Sequence, residues 1–194
     1  SEVAHSESYG VFLCNTDEHP EREIDILRLL EAHRVEGVVL ASSRLEDGAL
    51  AQVAETWRPL VLVNRCLSRH AGVGCVLVDD AGAAREATRH LLERGHRCIG
   101  FLAGSLTSHS SQERRAGYRD ALREAGLAPD PAWCVSCAPT AEGGHDAALA
   151  LLTAHAEITA LLGYNDLVAL GALRACRSLG WAVPQRCALV GWDD

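Results

Sequence analysis

The chain has 194 residues, 48% of them hydrophobic and 23% charged, with a formal net charge of −8 at pH 7. That length accommodates one large or two small domains with real hydrophobic cores, and the balance is ordinary for a soluble globular protein. No apolar run approaches the roughly 18 residues needed to cross a bilayer, and the negative balance argues against these residues gripping nucleic acid, which calls for a basic face.

The basic side chains are all Arg, and there is no Met, so Ser1 is not expected to be a native start. The segment Ser-Glu-Val-Ala-His-Ser-Glu has neither the basic nor the apolar region of a secretory signal, which points to a reducing cytoplasm. Short runs rich in Val, Leu and Ile then recur along the chain: Tyr9–Cys14, Val35–Ala41, Pro59–Val63, Gly74–Val78, Cys98–Ala103, Trp133–Cys137, Ala160–Gly163 and Cys187–Gly191. They do not alternate apolar with polar residues, as strands covered on both faces of a parallel sheet do not.

Helical patterns fill most of the gaps. Pro20 suits a first helical position, followed by a stripe through Ile24, Leu27 and Leu30. A helix over Ala81–Arg94 stops at Gly95, and one over Ser111–Ala125 stops at Gly126. Thr140 can cap a helix running to about Ala154, and Asp166 one running to Leu179, ahead of Gly180 and Pro184. The alternation predicts an α/β fold with doubly wound parallel sheets and right-handed crossovers. A change of lobe is expected near Gly95–Arg97, giving lobes 1–95 and 96–194. In such sheets ligands bind beyond the carboxyl ends of the strands. The segments to watch are therefore Asn15–His19, Ser42–Glu46, Asn64–Ala71, Gly104–Ser111, Ala138–Gly144, Tyr164–Asp166 and Trp192–Asp194.

The eight Cys carry little chemistry. Cys14, Cys75, Cys98 and Cys187 lie within predicted strands, where a free Cys packs as a small hydrophobe. Cys134 and Cys137 form a C-x-x-C without a second pair or a following helix start, so strand packing is expected over zinc or redox work. The nine His are scattered, with no metal-ligand spacing, and no cofactor fingerprint is present. Gly100–Gly104 offers only G-x-x-x-G, without a P-loop or a nucleophile elbow, so an enzyme is not expected.

Three strand-end passages are distinctive: Phe101–Tyr118 (FLAGSLTSHSSQERRAGY), Tyr164–Ala172 (YNDLVALGA) and Val190–Asp194 (VGWDD). With Leu13–Asp17 (LCNTD), Val35–Leu40 (VEGVVL), Val78–Asp80 (VDD) and His90–Arg97 (HLLERGHR), they resemble the lactose-repressor/galactose-repressor (LacI/GalR) family of bacterial regulators, in order and spacing, over nearly the whole chain. The resemblance implies a type I periplasmic-binding-protein-like fold of two lobes with a small effector, a sugar or a relative of one, in the cleft. It also implies a homodimer and operator DNA bound through an N-terminal helix-turn-helix domain outside these residues. A transport receptor on the same fold is the rival reading.

By the same resemblance Arg114, Asp193, Asn165, Ser110 and Asn64 are the effector-binding candidates. A guanidinium fork can hold two neighbouring hydroxyls, a carboxylate accepts from them, and a carboxamide does both. Taken without the resemblance, Arg114 is a cation in the first turns of a helix, Asp193 a polar strand end and Ser110 a loop residue. Where relatives set an aromatic plate against the ligand, before Thr140, this chain has Ala138-Pro139. The match begins at the tail of the family's first helix, around Glu2–Ser8, and stops at Asp194. The family's first strand and closing segments are thus expected outside these residues, leaving neighbouring strands with unpaired backbone and bare apolar faces.

Overall fold

The computed structural model describes residues 2–67 and 72–193. The chain divides into two compact units, Ser1–Leu77 and Val78–Asp194. The division falls before the change of lobe expected near Gly95–Arg97, because the helix that ends at Glu93 packs along a helix of the second unit.

In the first unit, α1 (Glu2–Ser6) and α2 (Pro20–Ala32) precede β1 (Val38–Ala41), α3 (Asp47–Thr56), β2 (Leu60–Val63) and β3 (Val73–Val76). The strands form a parallel sheet in the order β1-β2-β3, with Val38 opposite Leu60 and Leu60 opposite Val73. Pro20 starts α2, where its missing N–H costs nothing. Leu27 of α2, Leu50 and Ala54 of α3, and Trp57 pack with Val38, Leu60 and Leu62 into one core. These side chains cover a single face, so along β1 the burial alternates and Val39 is 67% exposed. The expected strand at Tyr9–Cys14 is not formed: the segment lacks regular structure, and Leu13 is 96% exposed. Its apolar composition could make a strand only against a pairing partner, and among the described residues none lies beside it. Cys75, expected as a free thiol, is joined to Cys66 with their Cα atoms 5.4 Å apart. The register that sets Leu62 opposite Cys75 brings the turn after β2 alongside β3 and so makes the pairing possible.

The second unit contains α4 (Asp80–Glu93), β4 (Ile99–Ala103), α5 (His109–Glu124), a 3-10 turn at Pro131–Trp133, β5 (Cys134–Ser136), α6 (Ala141–Ala154), β6 (Ala160–Gly163), α7 (Asp166–Ser178) and β7 (Ala188–Val190). All pairings are parallel, in the order β5-β4-β6-β7. Every residue of β4 and β6 is buried, because each face of the sheet carries a helix pair. On one face Leu91, Tyr118 and Leu122 pack over Ile99, Phe101 and Leu162. On the other Ala148, Leu151, Val168 and Ala175 pack over Leu102 and Leu161. Tyr118 is buried yet satisfied, its hydroxyl donating to the Ile99 carbonyl at 2.7 Å, and burial pushes its ionisation well above the ordinary phenol range. The close seat of α5 on α4 needs Gly117, where a Cβ would run into the Ala81 carbonyl.

The two C-x-x-C thiols part company here. Cys134 packs with the Phe101–Tyr118 side of the sheet and Cys137 with the Leu102–Leu151 side. Positions three apart on a strand point to opposite faces, so they form no dithiol pair. Burial raises both thiols, Cys137 to about 11, and neither is poised as a nucleophile. Among the described residues no group of three or more His, Cys, Asp or Glu is placed to hold a metal ion, and no helix is long and apolar enough to cross a membrane.

Candidate functional site

Parallel strands aim all their carboxyl ends at one rim, and in the second unit the loops leaving β4, β5, β6 and β7 gather there. The helices that start at this rim carry side-chain caps. Ser108 accepts from the Ser111 amide, Thr140 from Gly143 and Asp79 from Gly82.

Arg114, in the second turn of α5, is the centre of this rim. Its Nε donates to Asp80 Oδ1 at 2.7 Å, at the start of α4, and an Nη donates to the Tyr164 carbonyl beyond β6. The guanidinium carbon lies 4.2 Å from the Trp192 ring centre and 5.0 Å from that of Tyr164, within cation–π range. The Tyr164 hydroxyl in turn meets Ser108 Oγ at 3.1 Å. Gly104 is required beside it, since a Cβ there would sit 2.9 Å from the Tyr164 ring. Three segments thus immobilise one cation, whose side chain is 12% exposed.

The ends of β6 and β7 are spliced by carboxylates. Asp166 Oδ1 accepts from the Trp192 amide at 2.7 Å and the Asp193 amide at 3.3 Å, while Asp193 Oδ2 accepts from the Asp166 amide at 3.4 Å. Asp193 is exposed. Asn165, not Asp166 as expected, is the N-cap of α7: its Oδ1 accepts from the Val168 amide at 2.8 Å, and its Nδ2 donates to the Pro139 carbonyl at 3.3 Å. The extended backbone of Asn165 suits a capping residue, whereas Asp166 already lies within the helix. Ser110 lies one turn before Arg114 on α5 and is buried.

Arg114, Asn165, Ser110 and Asp193 all lie on the loops and helix starts of this rim; Arg114 meets Tyr164 and Trp192, the sequence neighbours of Asn165 and Asp193. Asn64 belongs to the first unit. It follows β2 in a left-handed conformation, φ 56°, which Asn tolerates better than most residues. Its amide donates to the Val76 carbonyl at 2.9 Å and its Nδ2 to Ser42 Oγ at 3.3 Å. The next residue, Arg65, holds the Leu45 carbonyl at 3.0 Å and Asp47 at 2.7 Å. Of the loop segment expected at Asn64–Ala71, residues 68–71 lie outside the described residues, as does Asp194.

Asp80, Tyr164 and Trp192 were not among the candidates. Their signal was positional: each aromatic is within two residues of a strand's carboxyl end, and Asp80 opens the helix preceding β4. Only the packing discloses that all three address the same guanidinium.

The family model for periplasmic binding proteins and the sugar-binding domain of the LacI family matches residues 1–189. The chain belongs to this family. Among curated relatives it is 34% identical over 192 residues to the HTH-type transcriptional regulator GalS of Salmonella typhimurium, covering 99% of this chain and 56% of the relative. It is 32% identical over 196 residues to the HTH-type transcriptional repressor PurR of Haemophilus influenzae, covering 100% and 57%. Among solved structures, a complex of the transcriptional regulator CelR with cellobiose superposes with a TM-score of 0.88 at 32% identity, covering 99% of this chain and 59% of that one. The chain spans little more than half the length of these relatives. The fold expected from the family, parallel α/β units of periplasmic-binding-protein type, is the fold found.

Proposed function

We propose that these residues are the ligand-sensing part of a bacterial DNA-binding transcriptional regulator. A small neutral effector rich in hydroxyls, a sugar or a derivative of one, binds at the rim of the second unit. It is held there without being chemically altered. The observation that carries this reading is Arg114. A guanidinium has five N–H donors; Asp80 and the Tyr164 carbonyl occupy two, and two aromatic rings lie against the group. A cation immobilised in this way presents donors in a set geometry and loses little entropy when a ligand arrives. Asp193 adds an exposed acceptor, and Asn165 retains an amide N–H and a carbonyl lone pair beyond its capping bonds. The aromatic plate missing at Ala138-Pro139 has counterparts in Trp192 and Tyr164.

Operator DNA would be engaged by a helix-turn-helix segment outside these residues, in a cytoplasmic homodimer. The acidic balance of the chain agrees with the DNA contacts lying elsewhere. Control then requires the effector to bind the DNA-competent and DNA-released arrangements with different affinity. A transport receptor is disfavoured, since the similar proteins named above are transcriptional regulators. The test is calorimetry of the full-length protein against a panel of neutral sugars and nucleosides. Arg114→Ala should weaken the effector found by about 1–3 kcal/mol or more, as a buried polar contact to a charge is lost, and Asp193→Ala by less. Unchanged affinity in both variants would remove the site assignment.

A further inference from the structure

We infer that Asp80 is a specificity-determining residue, which neutralises Arg114 and thereby turns away anionic effectors in favour of uncharged ones. The inference rests on the sensor reading above and narrows its ligand class. A lone immobilised Arg at the mouth of four loops would be a natural phosphate or carboxylate site, because its fork matches either anion in bidentate fashion. Here the fork is not alone. The Asp80 carboxylate, whose side chain is only 5% exposed, pairs with Nε at 2.7 Å. Two further carboxylates lie at the backbone next to Trp192: Asp166 accepts from the Trp192 and Asp193 amides, and Asp193 accepts from the Asp166 amide. The other cation of this part of α5, Arg115, is directed to Ser136 Oγ at 3.3 Å. An arriving phosphate would therefore meet one compensated cation amid acidic side chains. A neutral hydroxyl incurs no such repulsion, and can still accept from the Nη groups and donate to Asp193.

Neutralising Asp80 reverses this balance. A largely buried guanidinium stripped of its partner is an uncompensated charge, which a small anion can satisfy. Asp80→Asn keeps the shape and an acceptor oxygen for Nε, so the change is one of charge.

Inorganic phosphate serves as the probe, against sodium chloride at matched ionic strength and pH 7.5, with binding read by calorimetry and by melting temperature in the full-length protein. The expected result is that phosphate binds Asp80→Asn about tenfold or more tightly than the unaltered protein, raising the melting temperature of that variant alone. The double variant Asp80→Asn/Arg114→Gln should return to the weak level. Equal phosphate responses of the unaltered protein and Asp80→Asn, whether both strong or both absent, would overturn the inference. Should Asp80→Asn not fold, Asp80→Ser removes the same charge. If both fail while Arg114→Gln folds, Asp80 is a prop of the fold and the specificity role is lost. Failure of every neutral ligand in the panel would count against the sensor reading itself and leave the phosphate comparison standing, so the two failures can be told apart.

Discussion

The two units share one β-α-β grammar and differ in how many faces of the sheet are covered. In the second unit β4 and β6 are buried at every position, between α4 and α5 on one side and α6 and α7 on the other. In the first, α2 and α3 contribute to a single core and the opposite face, through Val39 and Val76, is bare. The strand sequences do not announce this: Val-Val-Leu-Ala of β1 is as apolar as Ala-Leu-Leu-Gly of β6. An apolar run states what a strand could bury, and the layers around it determine what is buried. The unit with two covered faces also carries the immobilised Arg114, as a preorganised site needs a scaffold whose loops cannot drift.

The sharpest way to break the contrast is truncation of equivalent side chains. Leu162→Ala, in fully buried β6, should cost about 3–4 kcal/mol through lost burial and an unfilled cavity. Val39→Ala should stay within about 0.5 kcal/mol, as expected of an exposed position. Urea unfolding curves of the two variants measure this, and equal losses would mean that something covers the bare face in solution.

The next effect concerns the Cys66–Cys75 link, which closes a loop of sequence separation 9 in the unit with the smaller core. Reduction by dithiothreitol should destabilise the first unit by about 2–3 kcal/mol on chain-entropy grounds. Hydrogen exchange should show faster exchange of the β2 and β3 amides, with β4 and β6 unaffected. Protection that falls equally in both units would show that they unfold together.

The smallest effect sharpens the comparison at single thiols. Exposed Cys14, in the first unit, should react first with iodoacetamide. Cys137, in the second, is held by burial at about 11, so it should label only as pH rises toward that value. Because folding raises its pKa, the protonated thiol's contribution to stability is complete below the ordinary thiol value. That contribution fades as pH climbs through the interval up to about 11. Rapid labelling of Cys137 at neutral pH would show the β5 end of the second sheet to be open.

Elements with strong local signals were legible from the chain. Ala160–Gly163 is a strand over the expected residues and α6 ends at Ala154, because an apolar run bounded by loop residues and a Thr cap are local matters. Tyr9–Cys14 misled because pairing is not local: an extended apolar segment becomes a strand only when another strand offers hydrogen bonds. The exchange of capping duty from Asp166 to Asn165 is a shift of one residue, which both side chains could satisfy chemically. The Asp166 carboxylate instead splices β6 to β7.

By itself the sequence determined the parallel α/β class, most strand and helix positions, and the strand-end segments to watch, because periodicity, caps and strand-end placement are properties of neighbours along the chain; Arg114, Asn165 and Asp193 were singled out by the family resemblance. Only the tertiary structure decided that the first sheet has one bare face, that Cys66 meets Cys75, and that Asp80, Tyr164 and Trp192 enclose a single guanidinium. Those are encounters between residues tens of positions apart, and their energies depend on distance in space, which local sequence patterns do not specify.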